Sequence, residues 1–303
     1  MRVRNQHPSV GELRKRTFVR RHLRGIVGLA IVSGVILLGA AAPIIAPIDP
    51  RAANVSEKLT PPSWLADETV RSGAESETGH FLGTDQLGRD ILKRGLHGSR
   101  VSLLIGLTTV LISGLVGVSL GLASGYFGGK LDQLMIWLCD VQMSFPFLVL
   151  AIAMMVALGG QSLVNVIGVL AITGWVTYFR VVRAETIKLR GREFIEAARA
   201  IGCSHWRIAL RHILPNAIPA CLVLATYQVA QMIIAESSLS FLGMGVPSHI
   251  PTWGAMIADG RQYAGSAWWV STFPGLMLVT TVLGIGFVGD WVRDIIDPTL
   301  KIT

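Results

Sequence analysis

Residues 193–216 read EFIEAARAIGCSHWRIALRHILPN, an amphipathic and strongly basic stretch set between two long apolar runs. Leu163 to Phe179 precede it and Ala217 to Ala235 follow it. At 1.5 Å per helical residue, runs of this kind are of the length that crosses a hydrocarbon core of about 30 Å. The stretch therefore links two membrane spans, and the fold depends on how many more spans surround it. Inside it, Phe194, Ala198 and Ile201 recur at helical spacing with Glu193, Glu196 and Arg199 elsewhere on the wheel, which predicts one short helix with a narrow apolar stripe. Gly202, Cys203 and Ser204 end or bend it. A second helix is expected to carry Trp206, Ala209, Leu210 and Ile213 on one face, with Pro215 marking the approach to the next span.

The whole chain has the same character. Its 303 residues are 51% hydrophobic and only 15% charged, with a mean hydropathy of +0.54; an ordinary soluble domain has roughly 25% charged residues. Beyond the two runs already named, further spans are expected at Ile26 to Ile48, Val101 to Phe127, Leu134 to Leu158 and Trp269 to Val288. The resulting expectation is an all-α integral membrane protein with six transmembrane helices. Gly106, Ser113, Gly114, Gly117, Gly121, Ser124 and Gly125 recur at spacings of three and four, so the second span is expected to approach a neighbour closely.

Lys and Arg near the spans orient the bundle, because they are retained on the cytoplasmic side. Before the first span stand Arg2, Arg4, Arg14, Lys15, Arg16, Arg20, Arg21 and Arg24 against Glu12 alone. Residues 180–216 carry Arg180, Arg183, Lys188, Arg190, Arg192, Arg199, Arg207 and Arg211 against Glu185, Glu193 and Glu196. Both segments are expected in the cytoplasm. Residues 49–100 are close to neutral, and residues 236–268 hold Glu236 and Asp259 against Arg261, so both are expected outside. The chain then divides into a basic cytoplasmic tail (1–25), a first helix (26–48), an external loop with an amphipathic segment at Thr84 to Arg100 (49–100), a core (101–289) containing the cytoplasmic loop 180–216, and a cytoplasmic tail (290–303). The net charge of +8 reads as topology and not as a nucleic-acid surface.

The Arg-rich start, apolar run and small residues Gly39 to Ala42 imitate a signal peptide, but the run exceeds the usual apolar region of about 7 to 15 residues, so a retained helix is expected. Cys139 and Cys221 fall in spans and Cys203 in the loop, which implies no disulfide framework. A P-loop requires GxxxxGK followed by Ser or Thr; before Gly129-Lys130 the first position is Ser124 and after it comes Leu131. None of the 7 His lies within an apolar run, which argues against an intramembrane metallohydrolase. Asp140 is expected near the cytoplasmic end of its span, either paired with Arg or lining a path. Glu236 is expected at the external end of the fifth span, solvated or facing a substrate. Trp253, Trp268 and Trp269 suit interface anchors. On physical grounds the opening stretch fits either a hairpin lying on anionic lipid or a surface that docks onto a cytosolic partner.

Glu196-Ala197-Ala198, Gly202 after three intervening residues and the close Leu214-Pro215 resemble the EAA loop of binding-protein-dependent ABC importer permeases. His212, where that family usually has Ile, and the run Arg211 to Asn216 are similar to its peptide and nickel branch. So are Leu82 to Asp90, Gly98 to Leu103, Cys139 to Val141 with Ser144 to Pro146, Ser238 to Gly245, Trp253 to Met256, Phe273 to Gly275, Gly289-Asp290 and Asp297-Pro298. Within that branch the chain resembles the C-type subunit of dipeptide and oligopeptide importers. The resemblance implies the type I ABC importer permease fold in a bacterial inner membrane, with both termini cytoplasmic. It implies a coupling helix that docks into an ATPase subunit through Phe194, Glu196, Ala197, Ala198, Gly202, Trp206, Arg207 and Pro215. It further implies a sister permease subunit, two ATPase subunits holding ATP and Mg, an external solute-binding protein, surrounding membrane lipid, and no cofactor in this chain. An ion-gradient-driven secondary transporter is the alternative; it would have no use for such a loop and would work without ATP.

Overall fold

The computed structural model describes residues 10–47, 54–65 and 80–296, with side chains from residue 22 onward. The basic side chains from Arg2 to Arg21, much of the loop 49–79, and Asp297-Pro298 lie outside the described residues. Helices dominate: α1 (Val10–Ile45), α2 (Ile91–Phe127), α3 (Gly129–Met143), α4 (Phe147–Ala157), α5 (Leu163–Arg190), α6 (Glu193–Ala200), α7 (His205–Phe241), α8 (Trp253–Gly260) and α9 (Trp269–Ile296). Five of them, α1, α2, α5, α7 and α9, are long and apolar enough to cross a membrane.

The sixth expected span is not straight. Helices α3 and α4 meet at 95° across Ser144, Phe145 and Pro146, where one helix from Leu134 to Leu158 is expected from the sequence. Pro146 has no N–H to donate and disfavours the helical conformation at Phe145, so a continuous ladder cannot pass. The Ser144 hydroxyl and amide instead both donate to the Asp140 carbonyl, at 2.8 and 3.0 Å. Counting the bent pair as one span brings the total to six.

Span α2 occupies the centre. Its stripe of small residues meets α5 so closely that a Cβ on Gly117 would stand 2.4 Å from the Trp175 carbonyl oxygen, and one on Gly121 2.7 Å from that of Phe179. Backbone contact of this kind supplies packing where lipid removes the hydrophobic drive between helices. Gly106 faces Ile233 of α7, and Gly25, Gly28 and Gly284 bring α1 against α9.

Helix α2 begins at Ile91, where a separate amphipathic segment lying on the membrane is expected from the sequence. Asp90 caps it by accepting from the Lys93 amide at 3.0 Å. Arg94, buried within its first turns, is matched by Asp85 from the preceding loop and by Asp259 at 3.5 Å. That neutralisation lets a charged segment join the helix core.

Helix α7 runs without a break from His205 into the fifth span through a π-turn at Ile208–Ile213. The wide turn lies just ahead of Pro215 and Pro219, whose rings and missing N–H groups disturb an ordinary α-ladder.

Candidate functional site

The stretch 193–216 forms α6, a turn, and the first part of α7, and it closes one end of the bundle. Two side chains of α6 point inward: Ile195 is 0% exposed and Ala198 is buried beside it, packing with Leu122, Tyr126, Val182, Ile208, Ala209 and Ile213. The apolar stripe expected from Phe194, Ala198 and Ile201 is therefore divided. Ala198 faces the bundle, whereas Phe194 is 44% and Ile201 81% exposed. The second expected face divides similarly, with Ala209 and Ile213 buried and Trp206 (64%) and Leu210 exposed. Short helices at a bundle end need one face for their own core, and the remaining apolar groups stand outward.

The turn depends on Gly202, whose φ of 81° lies in the left-handed region that side chains rarely adopt. Its amide donates to the Arg199 carbonyl at 3.0 Å, and the Cys203 amide to that of Ala198 at 3.0 Å.

Side chains from three spans lock this end. Tyr126 bonds to His205 Nδ1 through its hydroxyl (2.9 Å), carries Arg199 over its ring (5.9 Å), and accepts from Arg190 at its carbonyl (2.8 Å). Phe127 packs edge-on to Trp206 at 5.8 Å. Asp132 accepts two bonds from Arg183, at 2.5 and 2.7 Å, and one from Ser124. Sequence reasoning missed this pair, which joins α3 to α5 across a separation that no helical periodicity reports. Glu196, Ala197 and Arg207 are exposed, and Pro215 sits in the first turn of the helix after the π-turn.

The two residues expected on a path lie far apart in character. Asp140 pairs with Arg180 at 3.1 Å; both side chains are at least half exposed, and they border a hollow of about 240 Å³ with Cys139, Phe179 and Arg183. Glu236 is 0% exposed, so it is not solvated. Its carboxylate accepts from the hydroxyls of Ser240 (2.7 Å) and Thr252 (3.0 Å), and Thr252 in turn accepts from the Ala255 amide (3.1 Å) as the cap of α8. Glu236 thus ties α8 and its approach loop to α7.

The same end corrects the reading of two tryptophans. Trp253 and Trp269 are buried, their indole N–H groups donating to the carbonyls of Gly95 (3.1 Å) and Thr84 (3.3 Å); of the three tryptophans expected as anchors, Trp268 alone is exposed. The Trp269 bond holds the segment Leu82 to Asp90, where Asp85 accepts from the Leu87 and Arg89 amides and from the Arg89 side chain at 2.7 Å. His80 bridges Asp90 (2.8 Å) and Glu57 (3.0 Å). Burial of its ring pulls the pKa down, but hydrogen bonds and charge from the two carboxylates outweigh it and the net shift is upward.

Residues 117–302 match the family model described as binding-protein-dependent transport system inner membrane component. The di/tripeptide transport system permease protein of Pseudomonas aeruginosa is 38% identical over 281 residues, 92% of this chain and 90% of that protein. The dipeptide transport system permease protein of Alkalihalophilus pseudofirmus is 38% identical over 283 residues, 93% and 88% of the two chains. The glutathione transport system permease protein of Pectobacterium atrosepticum is 41% identical over 222 residues, 73% of each. Among solved structures, the methionine ABC transporter MetNI in an inward-facing conformation matches with a TM-score of 0.57 at 21% identity, covering 68% of this chain and 98% of that one, a likeness of fold. ATP hydrolysis in such importers belongs to separate ATPase subunits, and Phe194 of α6 and Ile201 of the adjoining turn stand exposed at one end of the bundle. The chain belongs to the family of binding-protein-dependent ABC importer permeases, multi-pass inner-membrane components that work with ATPase and binding-protein partners.

Proposed function

We propose that this subunit forms half of a peptide translocation path and that α6 with the adjoining turn is the surface through which ATPase motion reaches it. The observation that carries the proposal is the division of apolar groups on the stretch 193–207: Ile195 and Ala198 anchor it, while Phe194, Ile201 and Trp206 project from a backbone fixed by Tyr126, Arg190 and His205. Exposed apolar groups ringed by Glu196, Arg199 and Arg207 match the apolar centre and charged rim of a protein interface. A rigid mount transmits displacement, so closure of two ATPase subunits holding ATP and Mg would tilt the attached spans and alternate access.

The solute class follows from the relatives, whose names point to dipeptides, tripeptides and glutathione. A sister permease supplies the other half of the path. The excess of Lys and Arg before the first span and around α6 supports a topology with α6 and both termini in the cytoplasm and α8 outside, on the side of the binding protein.

The test is uptake by proteoliposomes containing the complete complex, with labelled dipeptide, glutathione or methionine presented on the binding protein. Expected is uptake of dipeptide or glutathione that requires internal ATP and persists when ion gradients are dissipated. Uptake without ATP, driven by an imposed proton or sodium gradient, would establish the secondary-transporter alternative and overturn this reading.

A further inference from the structure

At the α8 end of the bundle, a groove of about 350 Å³ opens between α1, α2 and α9. Val35, Leu38, Leu92, Leu96, Leu276 and Met277 form its walls, with Trp253 among the lining residues. Two of its three hydroxyls are already committed: Ser99 donates to the Leu96 carbonyl at 2.6 Å and Thr281 to that of Met277 at 2.7 Å, leaving Thr280 at the exposed edge. The Trp253 N–H is committed to Gly95. Water gains few partners in such a place, and a largely apolar cavity holds it poorly.

The groove's depth follows from its neighbours. Gly39 of α1 abuts Ser99 and Arg100, and the His97 ring meets the Ala46 carbonyl at 2.9 Å, so the α2 wall stands beside the last turns of α1. Its rim is open, with Leu38 and Leu276 each about half exposed and continuous with Leu37 and Ile44 on the outer face of α1. On the neighbouring stripe of α2, Lys93 and Arg100 are exposed and two turns apart, about 10 Å along the axis. Long basic side chains at such positions extend toward lipid phosphate.

We propose that this groove holds one acyl chain of an anionic phospholipid, drawn from the leaflet on the α8 side, with Lys93 and Arg100 meeting its phosphate. The site depends only on the chain's being a membrane protein and is independent of the solute or of how ATPase subunits attach.

The experiment uses the complete complex in nanodiscs doped with phosphatidylglycerol or phosphatidylcholine bearing a photoreactive acyl chain, with crosslinks mapped by mass spectrometry. Expected is labelling of Leu92, Leu96 and Leu276 several-fold above that of Leu37 and Ile44, stronger for phosphatidylglycerol. Thr280→Trp, at the exposed edge of the groove, should abolish the groove labelling and leave that of the outer face. Lys93→Glu should remove the preference for phosphatidylglycerol. Equal labelling of groove and outer face would overturn the site. So would crosslinks from groove residues to another subunit, or an unchanged lipid preference in Lys93→Glu.

Discussion

Two helices of the same length close opposite ends of this bundle and are used differently. Both α6 and α8 have 8 residues. In α8, Trp253, Gly254, Ala255, Met256 and Gly260 are buried, and Thr252 caps it while bonded to Glu236. In α6 only Ile195 and Ala198 are buried, and its N-terminus has no side-chain cap. One helix is part of the core; the other is mounted on it through Ile195 and Ala198 and keeps Phe194, with Ile201 of the adjoining turn, outward. The difference separates a helix that completes the bundle from one that leaves an apolar side exposed at its end.

The largest expected effect lies at α8. Trp253→Ala removes the bulkiest fully buried side chain among the described residues together with its bond to the Gly95 carbonyl, with an expected destabilisation of about 3 to 5 kcal/mol, read as a drop in the Tm of the detergent-purified complex. Glu236→Leu should cost about 1 to 3 kcal/mol by orphaning the Ser240 and Thr252 hydroxyls, and Glu236→Gln less, because an acceptor remains. Equal effects for the two would show that the carboxylate is not the staple of α8. At α6 the expected pattern reverses: Ile201→Asp leaves Tm nearly unchanged but weakens ATPase recruitment at least about tenfold, some 1.4 kcal/mol.

Smaller effects sharpen the contrast between ends. His80 has a raised pKa through Asp90 and Glu57, so its charge stabilises the attachment of residues 54–65. That stabilisation is fully present below the unfolded value of about 6.5 and is lost as pH rises through the folded value. Hydrogen exchange in residues 54–65 should therefore show protection falling over that window, and His80→Gln should remove the dependence. Smallest is Asp140→Asn, which breaks an exposed pair with Arg180 worth about 0 to 1 kcal/mol in stability. A large loss of transport with unchanged Tm would mark Asp140 as a path residue.

Spans were legible in the sequence wherever apolar runs were unbroken, and so was the small-residue stripe by which α2 meets α5. The start of α2 was not, because Lys93, Arg94, His97 and Arg100 dilute its hydropathy; Arg94 becomes compatible with the core only through Asp85 and the distant Asp259. The inward face of α6 was not either. Phe194 and Ile195 are adjacent and both apolar, so periodicity alone cannot choose between them, and tertiary packing at Tyr126 and Ile208 does. Glu236 and Trp253 read as surface residues because their partners, Thr252 and Gly95, come from other elements.

The most direct test is binding-protein-stimulated ATPase activity of the reconstituted complex carrying Ile201→Asp, with Leu37→Ala on the exposed outer face of α1 as the control substitution. Expected is loss of stimulation and of co-purified ATPase in the first, at unchanged membrane content and Tm, and near-normal values in the second. Full stimulation in Ile201→Asp would contradict the assignment of α6 as the coupling surface.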